Sequence, residues 1–326
     1  LRLVPVRLRH LGCEYCGRVL EAMRSYLRDK VDIRTRTNVV DVDCDGEGVK
    51  GVRTDSGDAL TCRFVICAPG REGAEWLAGI ARRHGLVMEA NPVDVGVRVE
   101  LPAPVMAELS RVLYEAKLEY YSSTFDDRVR TFCMCPNGEV VLESTGGADP
   151  VVTVNGVGYA ERMTPNTNFA VLVSTSFTEP FHEPIAYGKY LARLANLLSG
   201  GVLVQRLGDL MAGRRSTAER ISRSLVRPTL AAATPGDLSF VLPYRYLTDI
   251  VEMLKALDVL APGVASAHTL LYGVEVKFYS GRLELGPCLE TGIRNMFAVG
   301  DGAGVSRGLV QASVSGVVAA REVRAR

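Results

Sequence analysis

Apolar residues recur at two spacings along this chain, and the spacing shifts as the chain proceeds. Val19, Leu20, Met23, Tyr26 and Leu27 fall at helical intervals, which predicts an amphipathic helix over residues 14 to 29. The runs VDIRTR, VVDVDC, VKGVRT and LTCRFVICA follow, parted by Asp-Gly and Ser-Gly turns, and predict a small antiparallel meander. Residues 64–68 are apolar on both faces, as expected of a strand buried inside a larger sheet. After Pro69-Gly70-Arg71, the stripe Trp76, Leu77 and Ile80 predicts a helix over 73–84.

From about residue 92 the β-runs lengthen. DVGVRVEL, VRTFCMC, EVVLES, VVTV and FAVLVST read as antiparallel strands, with Pro136-Asn137-Gly138 as a hairpin turn. Helices are expected near 185–199 and 245–257. Beyond His268, HTLLYGVEV reads as a strand, MFAVG as a short buried strand and 306–323 as a helix. There is no internal repeat and no low-complexity linker.

Composition narrows the classes. The chain has 326 residues, 47% hydrophobic and 23% charged, which fits about two globular domains and excludes disordered and fibrous classes. Lys+Arg number 38 against 37 Asp+Glu, so no bulk charge draws it to nucleic acid or acidic lipid. No apolar run approaches the roughly 18 residues of a membrane span, and the opening LRLVPVRLRH has no signal-peptide core. The expectation is a cytoplasmic protein with no membrane partner. Its eight cysteines are sparse for a chain of this length, so reduced thiols are expected.

Two motifs carry chemistry. In Phe64-Val-Ile-Cys-Ala-Pro-Gly-Arg71 a strand ends at a small residue and a Pro-Gly turn. In Asn295-Met-Phe-Ala-Val-Gly-Asp-Gly-Ala-Gly304 a buried strand delivers Asp301 at its tip, and a glycine-rich turn opens a helix near Ser306. Ligands of open α/β sheets bind at such carboxyl ends, and a helix N-terminus suits an anionic or electron-rich group. A carboxylate there fits sugar-alcohol hydroxyls better than phosphate, and glycines 302, 304 and 308 admit a flat ring close to the backbone.

The order of these motifs around a separate sheet resembles the glutathione-reductase-like FAD superfamily. RHLG at 9–12, DVGVRVE at 94–100, FCMCPNGEVV at 132–141, VVTVNGVGY at 151–159, Asn166 and Asn168, and GVEVK at 273–277 sharpen it. Together they resemble the uncharacterised FAD-dependent dehydrogenases over nearly the whole chain, from Arg9 to Glu322. The resemblance implies that Asp301 binds the ribityl chain of FAD while Gly302, Ala303 and Gly304 line its pyrophosphate side, with Gly300 also among the cofactor-binding residues. It gives the Gly308 and Leu309 N–H groups to the N1/O2 edge of the flavin, the Val39 backbone to adenine, and Ala68, Pro69 and Gly70 to the turn that closes over the cofactor. The departure is that no G-x-G-x-x-G stands between a first strand and helix, so the chain is expected to begin after the element that grips the ADP half.

Other residues keep alternative readings. Cys13-x-x-Cys16 reads as two small helix residues, a redox dithiol or half a zinc site, with the helix dipole expected to lower the Cys13 pKa. Cys133 and Cys135 alternate along a strand, so both thiols are expected on one face, either as packing or as substrate-side groups. His10 reads as a capping or surface residue or as an active-site one. The spacing of His10, His84, His182 and His268 supports no metal site, and no general base stands out. Arg214, Arg215, Arg220, Arg223 and Arg227 read as a solvated helix face or, alternatively, as a site for an anionic substrate or NAD(P).

The resulting expectation is an α/β chain with an incomplete, discontinuous Rossmann-like FAD-binding domain (1–91 and 268–326) and an inserted α+β substrate domain (92–267). Its function would be that of an FAD-dependent oxidoreductase, or the C-terminal part of one, passing hydride between flavin and a small-molecule substrate. The alternative is a non-catalytic remnant or subunit that needs a partner chain to supply the nucleotide-binding βαβ unit.

Overall fold

The structure is a computed structural model that describes the chain except residues 6–8, 90–91, 146–149, 176, 179–180, 182 and 279–280. The chain divides into two compact units. The first comprises Leu1–Leu27, Val93–Thr178 and Ile185–Phe278; the second comprises Arg28–Pro92, Glu179–Pro184 and Tyr279–Arg326.

The first unit is built on an eight-stranded sheet. Its spatial order is Arg2–Leu3, Leu118–Tyr121, Arg128–Cys135, Asn166–Thr175, Val93–Pro102, Leu270–Lys277, Leu203–Arg206 and Thr234–Pro235. Neighbours run antiparallel except the last pair, so the sheet is mixed. Two-residue periodicity sends Val93, Val95, Val97, Val99 and Leu101 to one face, beside Phe169, Val171 and Val173. Helices Ala103–Leu113, Pro184–Ser199 and Tyr244–Leu260 bury that face, and each such side chain contributes about 1.5–3 kcal/mol of transfer free energy.

Alternation of this kind usually leaves the second face wet. Here the second face is buried too, although it carries Asp94, Arg98, Glu100, Asn168, Glu275 and Lys277. A hairpin of strands Glu139–Ser144 and Val152–Val157 lies over it. Gly156 makes that approach feasible, since a Cβ there would land on the Arg98 guanidinium and the Asn168 amide oxygen.

This hairpin corrects the expectation for Pro136-Asn137-Gly138. The tight turn forms, with Gly138 N–H donating to Cys135 C=O at 3.2 Å, but the strands on its two sides do not pair with each other. Arg128–Cys135 already lies between Leu118–Tyr121 and Asn166–Thr175, so the next strand turns out of the sheet and pairs with Val152–Val157.

The second unit holds the meander Val39–Asp45, Gly48–Thr54 and Ala59–Thr61, and a parallel pair, Val65–Cys67 with Met296–Ala298. Leu77 and Ile80 of helix Ala74–Arg83 pack with Met296 and Ala298 to form its core. The VDIRTR run is irregular rather than a strand, because Val31 and Ile33 find nothing to bury against and Arg36 adopts a left-handed φ of 56°. Residues 64–68 are likewise not enclosed within a larger sheet: Val65–Cys67 has one strand partner among the described residues, and Ile66 is 41% exposed. Helix Cys13–Leu27 of the first unit forms where its spacing predicts, yet none of its residues is buried. Among the described residues, no helix is long and apolar enough to cross a membrane.

Candidate functional site

Two constellations stand out, one in each unit. In the second unit, strand Met296–Ala298 delivers the turn. Val299 N–H donates to Cys67 C=O at 2.9 Å, and Gly300 (φ 77°) and Gly304 (φ 70°) take left-handed conformations around the short 3-10 segment Asp301–Ala303. A Cβ on Gly302 would strike the Gly70 carbonyl and stand 2.8 Å from Pro69 Cγ, so the two glycine-containing motifs are packed directly on each other. Ala68 lies between Cys67 and that turn, while Ala303 is buried in the local core.

Asp301 is half-buried, and its Oδ1 accepts the Ser306 hydroxyl at 2.5 Å. The following helix, Leu309–Ala325, therefore starts three residues later than expected, with Gly308 as its extended N-cap, because Ser306 belongs to the turn. Leu309 and Val310 are 83% and 70% exposed. Val39, the remaining candidate in this unit, opens strand Val39–Asp45 opposite Thr54.

The first unit gathers His10, Cys133 and Cys135 with residues that sequence reasoning missed. A β-bulge sets Cys133 and Met134 against the single residue between Asn168 and Ala170, and Cys133 takes a φ of 45°. The bulge shifts the alternation by one. Met134 joins the helix-covered core, while Cys135 meets the polar face, where its Sγ accepts from Arg98 Nη2 at 3.4 Å. The two sulfurs are 4.0 Å apart.

Arg98 organises this place. Fully buried, it donates to Asn168 Oδ1 at 2.8 Å and to the Cys133 carbonyl at 2.6 Å, and it pairs with Glu275 at 3.3 Å. Lys277 meets the same Glu275 at 3.1 Å. His10 Nε2 lies 2.9 Å from Glu115 Oε2, and that hydrogen bond, against burial, raises the His10 pKa. A methyl group placed on Gly158 would stand 3.7 Å from His10 Nδ1, 3.8 Å from Tyr114 Oη and 4.0 Å from Cys135 Cβ, so these groups converge. The hydrogen bond between the thiols, joined by Arg98 and His10, brings Cys133 down to about 6 despite burial and Glu275. The same bond and burial push Cys135 well up.

Other candidates fare differently. Cys13 is raised, chiefly by burial and then by Cys16, opposite to the expected lowering. Arg214 and Arg220 are not simply solvated: both bind the buried Asp209, at 3.0 and 2.9 Å. His84 Nδ1 lies 3.2 Å from Cys44 Sγ and its Nε2 3.5 Å from Asp41, a grouping with no spacing signal in the sequence. Burial and the nearby aspartates raise Cys44, which opposes thiolate formation. His182 lies outside the described residues, and no group of three or more His, Cys, Asp or Glu among the described residues can hold a metal.

With this geometry in place, the comparisons define the class: an FAD-dependent protein. Residues 92–278 match the model of the family described as FAD-dependent protein, C-terminal domain-like, and the chain belongs to that family. An uncharacterized protein of Clostridium beijerinckii is 27% identical over 290 residues, covering 82% of this chain and 52% of that protein. The chain thus spans about half the length of the curated relative it matches. Among solved structures, it is similar to an oxidoreductase from Methanosarcina mazei, with 12% identity, 95% of this chain and 54% of the other covered, and a TM-score of 0.37. It is also similar to BrvH, a flavin-dependent halogenase from Brevundimonas sp. BAL3, with 11% identity, coverages of 93% and 40%, and a TM-score of 0.33.

Proposed function

We propose that this chain works as an FAD-dependent oxidoreductase, or as the C-terminal part of one, acting on a small molecule. The observation that carries this reading is the turn at residues 300–304 packed onto the Pro69-Gly70 turn, in a chain of the FAD-dependent family. When bound, FAD supplies a two-electron carrier able to exchange hydride with a substrate. The residues present suit it. Asp301 offers a half-buried carboxylate for ribityl hydroxyls, and Ser306 holds that carboxylate in place. Gly300, Gly302, Ala303 and Gly304 present backbone rather than bulky side chains to the phosphates. The N–H groups of Gly308 and Leu309 bring the positive end of a 17-residue helix to the electron-rich ring edge. Val39, Ala68, Pro69 and Gly70 take the adenine and closing roles.

In the first unit His10, Cys133 and Cys135 are the substrate-side groups. The test is FAD titration of the purified chain, followed by flavin absorbance and fluorescence. Stoichiometric binding is expected, and Asp301→Ala should weaken it roughly tenfold or more by deleting a charged acceptor. Binding that never saturates in well-folded protein would remove the stand-alone reading. It would favour instead a subunit completed by a partner chain, which the exposed Ile66, Leu309 and Val310 also support.

A further inference from the structure

We propose that Cys133 and Cys135 form a redox dithiol that reduces small-molecule disulfides by thiol–disulfide exchange, with Cys133 attacking and Cys135 resolving. The exchange needs no flavin, so it stands or falls apart from the reading above.

Geometry carries the assignment. Thiols two residues apart on an extended strand sit at the edge of what a disulfide can bridge. The bulge and the left-handed Cys133 change that by contracting this segment, and the sulfurs come to 4.0 Å. A non-glycine residue held in that conformation is uncommon and points to a constraint beyond packing. Packing alone would also place a buried cysteine among apolar atoms. Cys135 instead sits against the guanidinium of a buried ion pair, which favours negative charge on the sulfurs. The two thiols are also unequal in the manner exchange requires. Cys133 is partly accessible and depressed toward 6, whereas Cys135 is buried and raised.

The steps balance. The Cys133 thiolate attacks one sulfur of R–S–S–R, a Cys133–SR bond forms, and one RS⁻ leaves. Cys135 then loses its proton and attacks Cys133 Sγ, closing the Cys133–Cys135 disulfide and expelling the second RS⁻. Two electrons pass from the dithiol to the substrate disulfide, and one RSSR yields two thiols. The Cys135 proton passes to the RS⁻ released in the first step, and the Arg98 guanidinium at 3.4 Å favours the thiolate that forms.

The test is single turnover of the reduced full-length chain with 5,5′-dithiobis(2-nitrobenzoate) and, separately, oxidised glutathione. To silence the other accessible thiols it is run in the Cys13→Ser/Cys16→Ser/Cys44→Ser/Cys62→Ser/Cys288→Ser background. We expect two thiolates released per chain, a mass lower by two hydrogens, and a peptide map joining Cys133 to Cys135. The rate should rise through pH about 6 rather than near the usual thiol range. At pH 7 Cys133 should react a few-fold faster than Cys13 does in the parent chain, since its larger thiolate fraction outweighs its lower intrinsic nucleophilicity. Cys135→Ser should stop at a mixed disulfide on Cys133. Release of two thiolates that persists in Cys133→Ser, or a map of the parent chain with no Cys133–Cys135 link, would overturn the proposal. The map requires no substitution at either position, so a folding defect in a variant cannot hide the answer.

Discussion

The two units hold their chemistry by opposite means. In the first, the candidate site is made of side chains: Arg98, Glu275 and Asn168 are wholly buried and aligned by long strands paired on both edges. In the second, it is built on backbone, a turn in which a Cβ on Gly302 or Gly304 would strike Gly70, Pro69 or Arg282. The supporting sheets differ in the same direction, with eight strands in one and pairs or a triplet in the other. The contrast teaches that the first unit should be most sensitive to loss of a charge and the second to gain of a methyl group.

Arg98→Met should have the largest effect. Removing one member of a buried pair leaves Glu275 with only Lys277, and such losses cost about 3–5 kcal/mol. The chain has a single tryptophan, Trp76, and it packs in the second unit. Denaturation followed by far-UV circular dichroism should therefore shift, while the Trp76 fluorescence transition stays in place. Coincident shifts of both signals would break the contrast between the units. Gly302→Ala should do the reverse. Its methyl group meets backbone that cannot yield cheaply, for a cost of about 1–3 kcal/mol, seen in Trp76 fluorescence. Gly70→Ala sharpens the point. Nothing lies within reach of its Cβ, so only the φ of 65° opposes it, at about 1 kcal/mol.

The difference also explains what the sequence reveals and what it hides. The Asp301 turn is legible because strand, Asp, glycines and helix are contiguous, so local conformational rules suffice. The Arg98 site draws on positions 10, 98, 115, 133, 135, 168 and 275, which only strand pairing unites. DVGVRVE showed its alternation plainly. It could not show that Arg98 would be covered, because the cover is a hairpin whose pairing depends on which sheet edges are already occupied. The Pro136-Asn137-Gly138 turn is similar: its bend is local, but its partner strand is decided elsewhere. The bulge at Cys133 has no local signature, and it decides which face the thiols reach.

A pH-dependent effect tests whether burial in the first unit is costly when charge is poorly matched. Asp249, on helix Tyr244–Leu260, is fully buried, and its pKa is pushed up to about 6 by burial, with Asp127 adding to the shift and Ser122 opposing it. A carboxyl raised in the folded state favours folding only while it is protonated. Stability is therefore lost as pH rises from the unfolded value near 4 to about 6, and the deficit is complete above that. Asp249→Asn removes the ionisation at nearly unchanged side-chain volume, and neither carboxyl oxygen of Asp249 has a hydrogen-bond partner to lose. Its melting temperature should exceed that of the parent by a few degrees at pH 7.5, and the gain should vanish below pH about 4. A gain of equal size at both pH values would mean that packing, not charge, limits this position. Arg98 and Asp249 would then no longer be two signs of the same rule, that a charge buried in this unit stabilises it only when its partner is buried with it.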